Sequence, residues 1–240
     1  MKHIARIILF VFLACLPSYA SDLQQQQSTL YPYRSMIAIQ DDFMFGLNTS
    51  GNIGYGWGFA NGSIAYISSE AGGRIGLLRR DTTAVSGTLA RTDLSISTAS
   101  FIDPASNHSM IHVVRVNNAD ADTQVRLGAY AATFSNPPAN GIFFEKLFAD
   151  TNWFCITRNG GVQTRVDSGI AVDTNFHSFT YNRNSSGVQF SIDNVNVCGL
   201  ITTNITGTFL DPATQLLNNV AASKTMDTDY FQLVITGLSR

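Results

Sequence analysis

Lysine and glutamate are almost missing from this chain, with three Lys and two Glu in 240 residues. Both are good helix formers on solvent-facing surfaces, and without them helices of ordinary length are hard to build. Charge of any kind is sparse, at 13% of residues, and there is no basic excess. Setting aside Lys2 and Arg6 with an N-terminal leader moves the formal net charge from −2 to −4. A nucleic-acid binder needs a basic face to neutralise phosphates, so that class is excluded. Long apolar runs are also lacking. The run 7–16 is the longest, and a membrane-spanning helix takes about twenty residues. No integral membrane span is therefore expected once the leader is removed. No His-Glu-x-x-His or Gly-x-Ser-x-Gly motif occurs. Three histidines, His108, His112 and His177, lie beyond the leader.

The leader itself is well marked. Lys2, His3 and Arg6 form a positive start, the run 7–16 is apolar, and Ser18-Tyr19-Ala20 offers small residues to a signal peptidase before Ser21. Cys15, after Phe12-Leu13-Ala14, is a fainter match to a lipoprotein site. Residues 1–20 are read as a signal peptide and 21–40, with the run Gln24 to Gln27, as a polar lead-in. The protein is expected to be exported, to the periplasm, cell surface or medium. Cleavage would leave Cys155 and Cys198. In an oxidising compartment two cysteines can pair, and they can equally pack as separate small hydrophobes. Five Asn-x-Ser/Thr sequons occur, at Asn48, Asn61, Asn107, Asn184 and Asn204.

What is abundant instead is Thr, Ser, Asn and Gly, the alphabet of strands and turns. Alternation is frequent. Val188, Phe190 and Ile192 face one way, with Gln189, Ser191 and Asp193 the other. Val162, Thr164 and Val166 alternate with Gln163, Arg165 and Asp167, and Val125, Leu127 and Ala129 with Arg126, Gly128 and Tyr130. Phe231, Leu233 and Ile235 do the same near the end, while Met110 to Val116 reads as a central strand. Asn159-Gly160-Gly161 and Asn184-Ser185-Ser186-Gly187 are hairpin turns, and Asn117–Asp122 and Asn136–Gly141 are further breaks. About thirteen strand candidates over residues 41–240 predict an all-β protein, a single two-sheet antiparallel jelly-roll sandwich.

Several stretches carry a resemblance. They are Asp41-Asp42-Phe43-Met44, Gly141 to Lys146, Thr151 to Arg158, Val172 to His177, Asp229 to Leu233 and the closing Thr236-Gly237-Leu238-Ser239-Arg240. Together they resemble concanavalin A-like lectin/glucanase jelly-roll domains, in the form seen in bacteriophage-type structural proteins and uncharacterised exported bacterial proteins. The resemblance implies the fold over residues 41–240 and speaks little to function, because that fold hosts lectins, hydrolases, lyases and virion components.

Hydrolases of that group commonly carry Glu-x-Asp-x-x-Glu on one strand, placing an acid and a nucleophile across a glycosidic bond. The motif is absent. Glu145 is the single weak catalytic candidate. Phe143 and Leu147 share its face and would raise its pKa; the simpler reading pairs it with Arg126 or Arg158 from a neighbouring strand. Glu70, before Ala71-Gly72-Gly73, looks like a turn residue, and Gly54-Tyr55-Gly56-Trp57-Gly58 like a β-turn region. Arg126, Tyr130, Trp153 and Arg158 are the ligand-binding candidates, as aromatic platforms and planar polar groups. Trp153 and Arg158 lie five positions apart and so face opposite ways on a regular strand. Calcium is the one metal to weigh, with Asp120 and Asp122 as oxygen donors and Asn117 and Asn118 beside them; a solvated Asx turn explains the same residues. No other cofactor is expected. Three functions follow in order: an exported non-catalytic binding or structural module with a glycan as partner, a polysaccharide hydrolase or lyase with a degenerate carboxylate site, and a self-assembling fibre or surface homo-oligomer.

Overall fold

The structure, a computed structural model, describes residues 36–41, 57–60, 62–69, 75–94, 100–131 and 136–237. The leader, the glutamine run, Glu70 and Tyr55 lie outside them. The described chain from Ile37 to Gly237 is one compact unit, and its named elements are all strands. In order these are β1 Met36–Asp41, β2 Trp57–Ala60, β3 Ser63–Ser69, β4 Ile75–Asp81, β5 Leu89–Leu94, β6 Asn107–Val116, β7 Thr123–Tyr130 and β8 Gly141–Lys146. They continue as β9 Asn152–Asn159, β10 Val162–Ala171, β11 His177–Asn184, β12 Gly187–Ile192, β13 Val195–Ile201, β14 Asp211–Asn218 and β15 Thr225–Thr236. Fifteen strands thus stand among the described residues where about thirteen were expected. Strand β1 takes in residues 36–40 of the expected lead-in; the β-branched Ile37 and Ile39 favour a strand over a loop.

Two antiparallel sheets form a jelly-roll sandwich. The first runs β13-β12-β11-β6-β15-β4-β3, with β1 also paired to β15; the second runs β10-β9-β8-β7-β14-β5-β2. The predicted hairpins close at Asn159–Val162 and Asn184–Gly187. Strand β6 is central as expected, paired on one side to β11 and on the other to β15.

Between the sheets lie the inward residues of each alternation. Trp153 packs edge-on to Phe179 with ring centroids 4.7 Å apart, and Phe144 meets Phe179 and Phe190 at 5.2 and 5.1 Å. Leu127, Ala129, Ile142, Leu216, Met110, Phe231 and Leu233 are fully buried around them. At about 25 cal/mol per Å² of apolar surface, this layer is the main source of stability. It is not wholly apolar. Arg80 is buried with its guanidinium on the Thr214 hydroxyl, and burial lowers its pKa to about 10.

Cys155 and Cys198 are joined, 43 residues apart, by a disulfide between β9 of one sheet and β13 of the other. The bond is available because β13 bulges. Gln189 pairs with Leu200 and Phe190 with Val197, leaving Cys198 and Gly199 outside the ladder. A cross-link closing a loop of that length stabilises by about 4 kcal/mol.

Candidate functional site

Register explains why one end of the seven-stranded sheet is polar on its outward face. Gln215, Arg126, Glu145 and Phe154 lie in one row across β14, β7, β8 and β9. Along β9 and β10, Ile156 pairs with Arg165 and Arg158 with Gln163. All six polar side chains therefore fall on the face opposite Trp153 and Cys155.

The row is knit by charge. Arg126 donates through Nε to Glu145 Oε2 at 2.8 Å, and through Nη1 to Asn136 Oδ1 at 2.6 Å and Gln215 Oε1 at 3.0 Å. Arg165 donates to Glu145 Oε1 at 3.3 Å and also to Asp150. Its guanidinium lies 3.3 Å above the Phe154 ring, a cation–π stack that fixes its orientation. Both oxygens of Glu145, which is 1% exposed, are thus bound to guanidinium donors. Beside this clamp is a depression of about 290 Å³ edged by Arg126, Asn136, Glu145, Leu147, Arg158 and Gln163. Arg158 Nη1 donates to Gln163 Oε1 at 3.0 Å, while its buried Nε has no partner.

A glycosidase would need a second carboxylate about 5 to 10 Å away, free to act on the bond. Asp211 shares this face but lies two strands over and four residues along from the Glu145 row, a separation of about 16 Å at ordinary strand spacing and rise. Asp150 is nearer and is held by the same Arg165. The arrangement can position an uncharged polyhydroxylated ring against planar donors. It does not offer an acid and a nucleophile facing one another.

The four ligand-binding candidates are not brought together. Arg126 and Arg158 both border the depression, Arg126 as its buried floor and Arg158 as its half-buried rim. Tyr130 lies on the same face yet is wholly buried, edge-on to Phe143 at 5.9 Å and 5.7 Å from the Arg91 guanidinium. Burial pushes its phenol well above the usual range. Trp153 points the other way, into the inter-sheet core at 1% exposure. Neither aromatic presents a face to a sugar, and as platforms both are withdrawn: the strands β7 and β14 are buried on both sides, so the middle of the outward face is not open. The pairing of Glu145 with Arg126 is as expected. Its second partner is Arg165 and not Arg158. Arg165, Gln163 and Asn136 went unremarked as site residues; the Gln163/Arg165 alternation was visible, but only register shows which strand they stand beside.

At the Asp120 turn the cations near the oxygens are the protein's own. Two ammonium groups lie on oxygens of Asp120 and Thr123. Lys224 Nζ lies 2.5 Å from Asp120 Oδ2, and Lys146 Nζ donates to the carbonyls of Asp120 and Thr123, both at 2.5 Å. The other Asp120 oxygen accepts from the Asp122 amide at 3.1 Å and the Thr123 hydroxyl at 2.7 Å. Burial opposes the charge on Asp120, but the hydrogen bonds from Lys224 and Thr123 outweigh it and hold the carboxyl below its ordinary value. Among the described residues no group of three or more His, Cys, Asp or Glu is placed to hold a metal ion.

No family model and no curated protein matches the sequence. Solved structures do share the fold. A protein of unknown function from Shewanella oneidensis is similar at a TM-score of 0.61 and 9% identity, over 87% of this chain and 91% of that one. The Bacillus licheniformis β-glucanase aligns at a TM-score of 0.56 and 13% identity, over 84% and 98%. A botulinum neurotoxin type C structure, of a protein whose cell entry depends on two ganglioside molecules, aligns at 0.55 and 11% over 85% of this chain and 49% of that one.

Proposed function

We propose that the chain is an exported, non-catalytic module that binds a glycan at the β8–β10 end of the seven-stranded sheet. The observation that carries this reading is the Glu145 clamp. A buried carboxylate whose two oxygens are spent on Arg126 and Arg165 is a structural support for a recess, and the recess is rimmed by Arg158, Gln163 and Asn136. Planar guanidinium and amide groups of this kind hydrogen-bond sugar hydroxyls in pairs. The disulfide supports an oxidising location. No helix among the described residues is long and apolar enough to cross a membrane. Similarity to the glucanase and to the ganglioside-dependent toxin supports glycans as the ligand class.

The test is a glycan array followed by titration of the best neutral oligosaccharide. Arg158→Ala with Gln163→Ala is expected to weaken binding at least tenfold with the unfolding midpoint unchanged. A blank array, or equal affinity in the double variant, overturns the placement. Incubation with mixed-linkage glucan is the second arm. Release of reducing ends that disappears in Glu145→Gln would make the protein a hydrolase instead.

A further inference from the structure

A second cluster lies at the end of the sandwich, away from the Glu145 clamp. Along β11 the inward residues are Phe179, Tyr181 and then Arg183, so an arginine takes the position where the apolar core reaches its mouth. Arg183 stands opposite His108 on β6 and Val188 on β12. It lines a cavity of about 500 Å³ with Asp103, Ser185, Ser186, Thr202 and Thr206, and a smaller one of about 250 Å³ that also takes in His108. The larger volume is within the range of small-molecule sites.

The polar groups here are left unmet. Among the described residues Arg183 makes no ion pair, and its Nε is buried with no hydrogen-bond partner. Asp103 lines the same cavity without bonding it; one Asp103 oxygen takes the Ala105 amide at 2.8 Å. His108 is 3% exposed. Its Nδ1 is 3.0 Å from the Ser106 carbonyl, which must accept, so Nδ1 carries the proton. Burial, aided by the charge of Arg183, keeps the ring neutral with a pKa near 4. Nε2 is then a buried acceptor, and it has no donor. An uncompensated half-buried cation costs free energy, and a ligand that meets its charge recovers it.

We propose that this end of the sandwich is a ligand site for an acidic sugar, with Arg183 receiving a hexuronate carboxylate and the ring hydroxyls falling to Asp103 and the surrounding Ser and Thr. A bare anion would satisfy Arg183 and leave the second Asp103 oxygen without a donor. A neutral sugar would do the reverse. A hexuronate carries both functions on one ring. The inference is independent of the neutral-glycan reading, since the two sites share no residue.

Isothermal titration of the full chain with tri-galacturonic acid, its methyl ester and maltotriose tests it. The acid trimer is expected to bind at least tenfold more tightly than its ester, and Arg183→Gln to erase that difference. Arg183→Lys, which keeps the charge and loses the planar fork, should fall between. Arg158→Ala should leave acid-trimer binding unchanged, whatever it does to neutral sugars. Equal affinity for acid and ester in the unaltered chain overturns the proposal, and that comparison needs no variant to fold. Undiminished binding in Arg183→Gln overturns it as well.

Discussion

Each sheet carries, on its outward face, one carboxylate buried between two arginines. On the seven-stranded sheet it is Glu145 with Arg126 and Arg165; on the eight-stranded sheet it is Asp227, with Arg79 at 2.8 Å, Arg115 at 2.5 Å and Asn117 at 3.0 Å. The likeness extends further. Arg165 stacks on Phe154 at 3.3 Å and Arg115 on Phe176 at 4.6 Å. The clamps differ in what lies beside them. Asp227 lines none of the three cavities described above, whereas Glu145 walls one of them next to the free Nε of Arg158. The lesson is that a buried carboxylate in this protein is first a device for tying strands together. With so few lysines and glutamates to cover the sheets, arginine–carboxylate clamps hold neighbouring strands in register. Location beside a recess, and not burial or charge, singles out Glu145.

Substitutions can break that comparison. Asp227→Ala leaves two guanidiniums facing one another and should cost about 4 kcal/mol, read as a lower urea midpoint, with glycan binding intact. Glu145→Gln keeps the shape and one acceptor and should cost about 3 kcal/mol. If Glu145 supports a recess, neutral-glycan affinity falls along with stability. Loss of stability with affinity untouched would make the two clamps equivalent and empty the recess of meaning. Arg165→Met removes a pair that is 24% exposed on the arginine side and should cost about 1 kcal/mol after solvent screening. A larger loss would show that Arg126 alone does not hold Glu145.

The fold was largely legible because alternation reports which face a residue takes, and turns such as Asn159-Gly160-Gly161 report where strands reverse. The pairing of strands was not. Arg165 looked like an ordinary outward residue until β10 was laid against β9, and Asn136 lies outside any strand pattern. Tyr130 and Trp153 present no platform for a related reason. Alternation separates Trp153 from Arg158 on one strand but does not say which face is covered: Trp153 lies in the inter-sheet core, and Tyr130, on the other face, is buried because the second face of β7 and β14 is covered too. The Asp120 turn takes its cations from Lys146 and from Lys224, 104 residues away in sequence, a partnership no local pattern displays. Cys198 was available for bonding only through a bulge that the Val195–Ile201 sequence does not announce.

A third clamp inverts the other two and gives the smallest expected effect. His177 lies between Asp193, 2.6 Å from Nδ1, and Asp173, 3.0 Å from Nε2. Both ring nitrogens face carboxylates, so both are satisfied only when each carries a proton. Burial opposes that charge, but the hydrogen bonds to Asp193 and Asp173 outweigh it and raise the imidazole above its ordinary value. A folded-state value above the unfolded one means that the contribution is fully present below about pH 6.5 and is lost as pH rises through the raised value. The two aspartates are about half exposed, at 45% and 50%, so screening limits the gain to less than about 1 kcal/mol. Asp227 is opposite in sign. Burial raises its carboxyl, the hydrogen bonds from Arg79, Arg115 and Asn117 more than reverse this, and its contribution disappears only in acid, as pH falls through a lowered value. Unfolding midpoints of the unaltered chain and His177→Gln, compared at pH 5.5 and 8.5, should therefore differ at the lower pH and converge at the higher. A difference that persists unchanged at pH 8.5 would mean that His177 contributes by packing on Phe179, whose ring is 6.1 Å away, and that this clamp does not depend on charge.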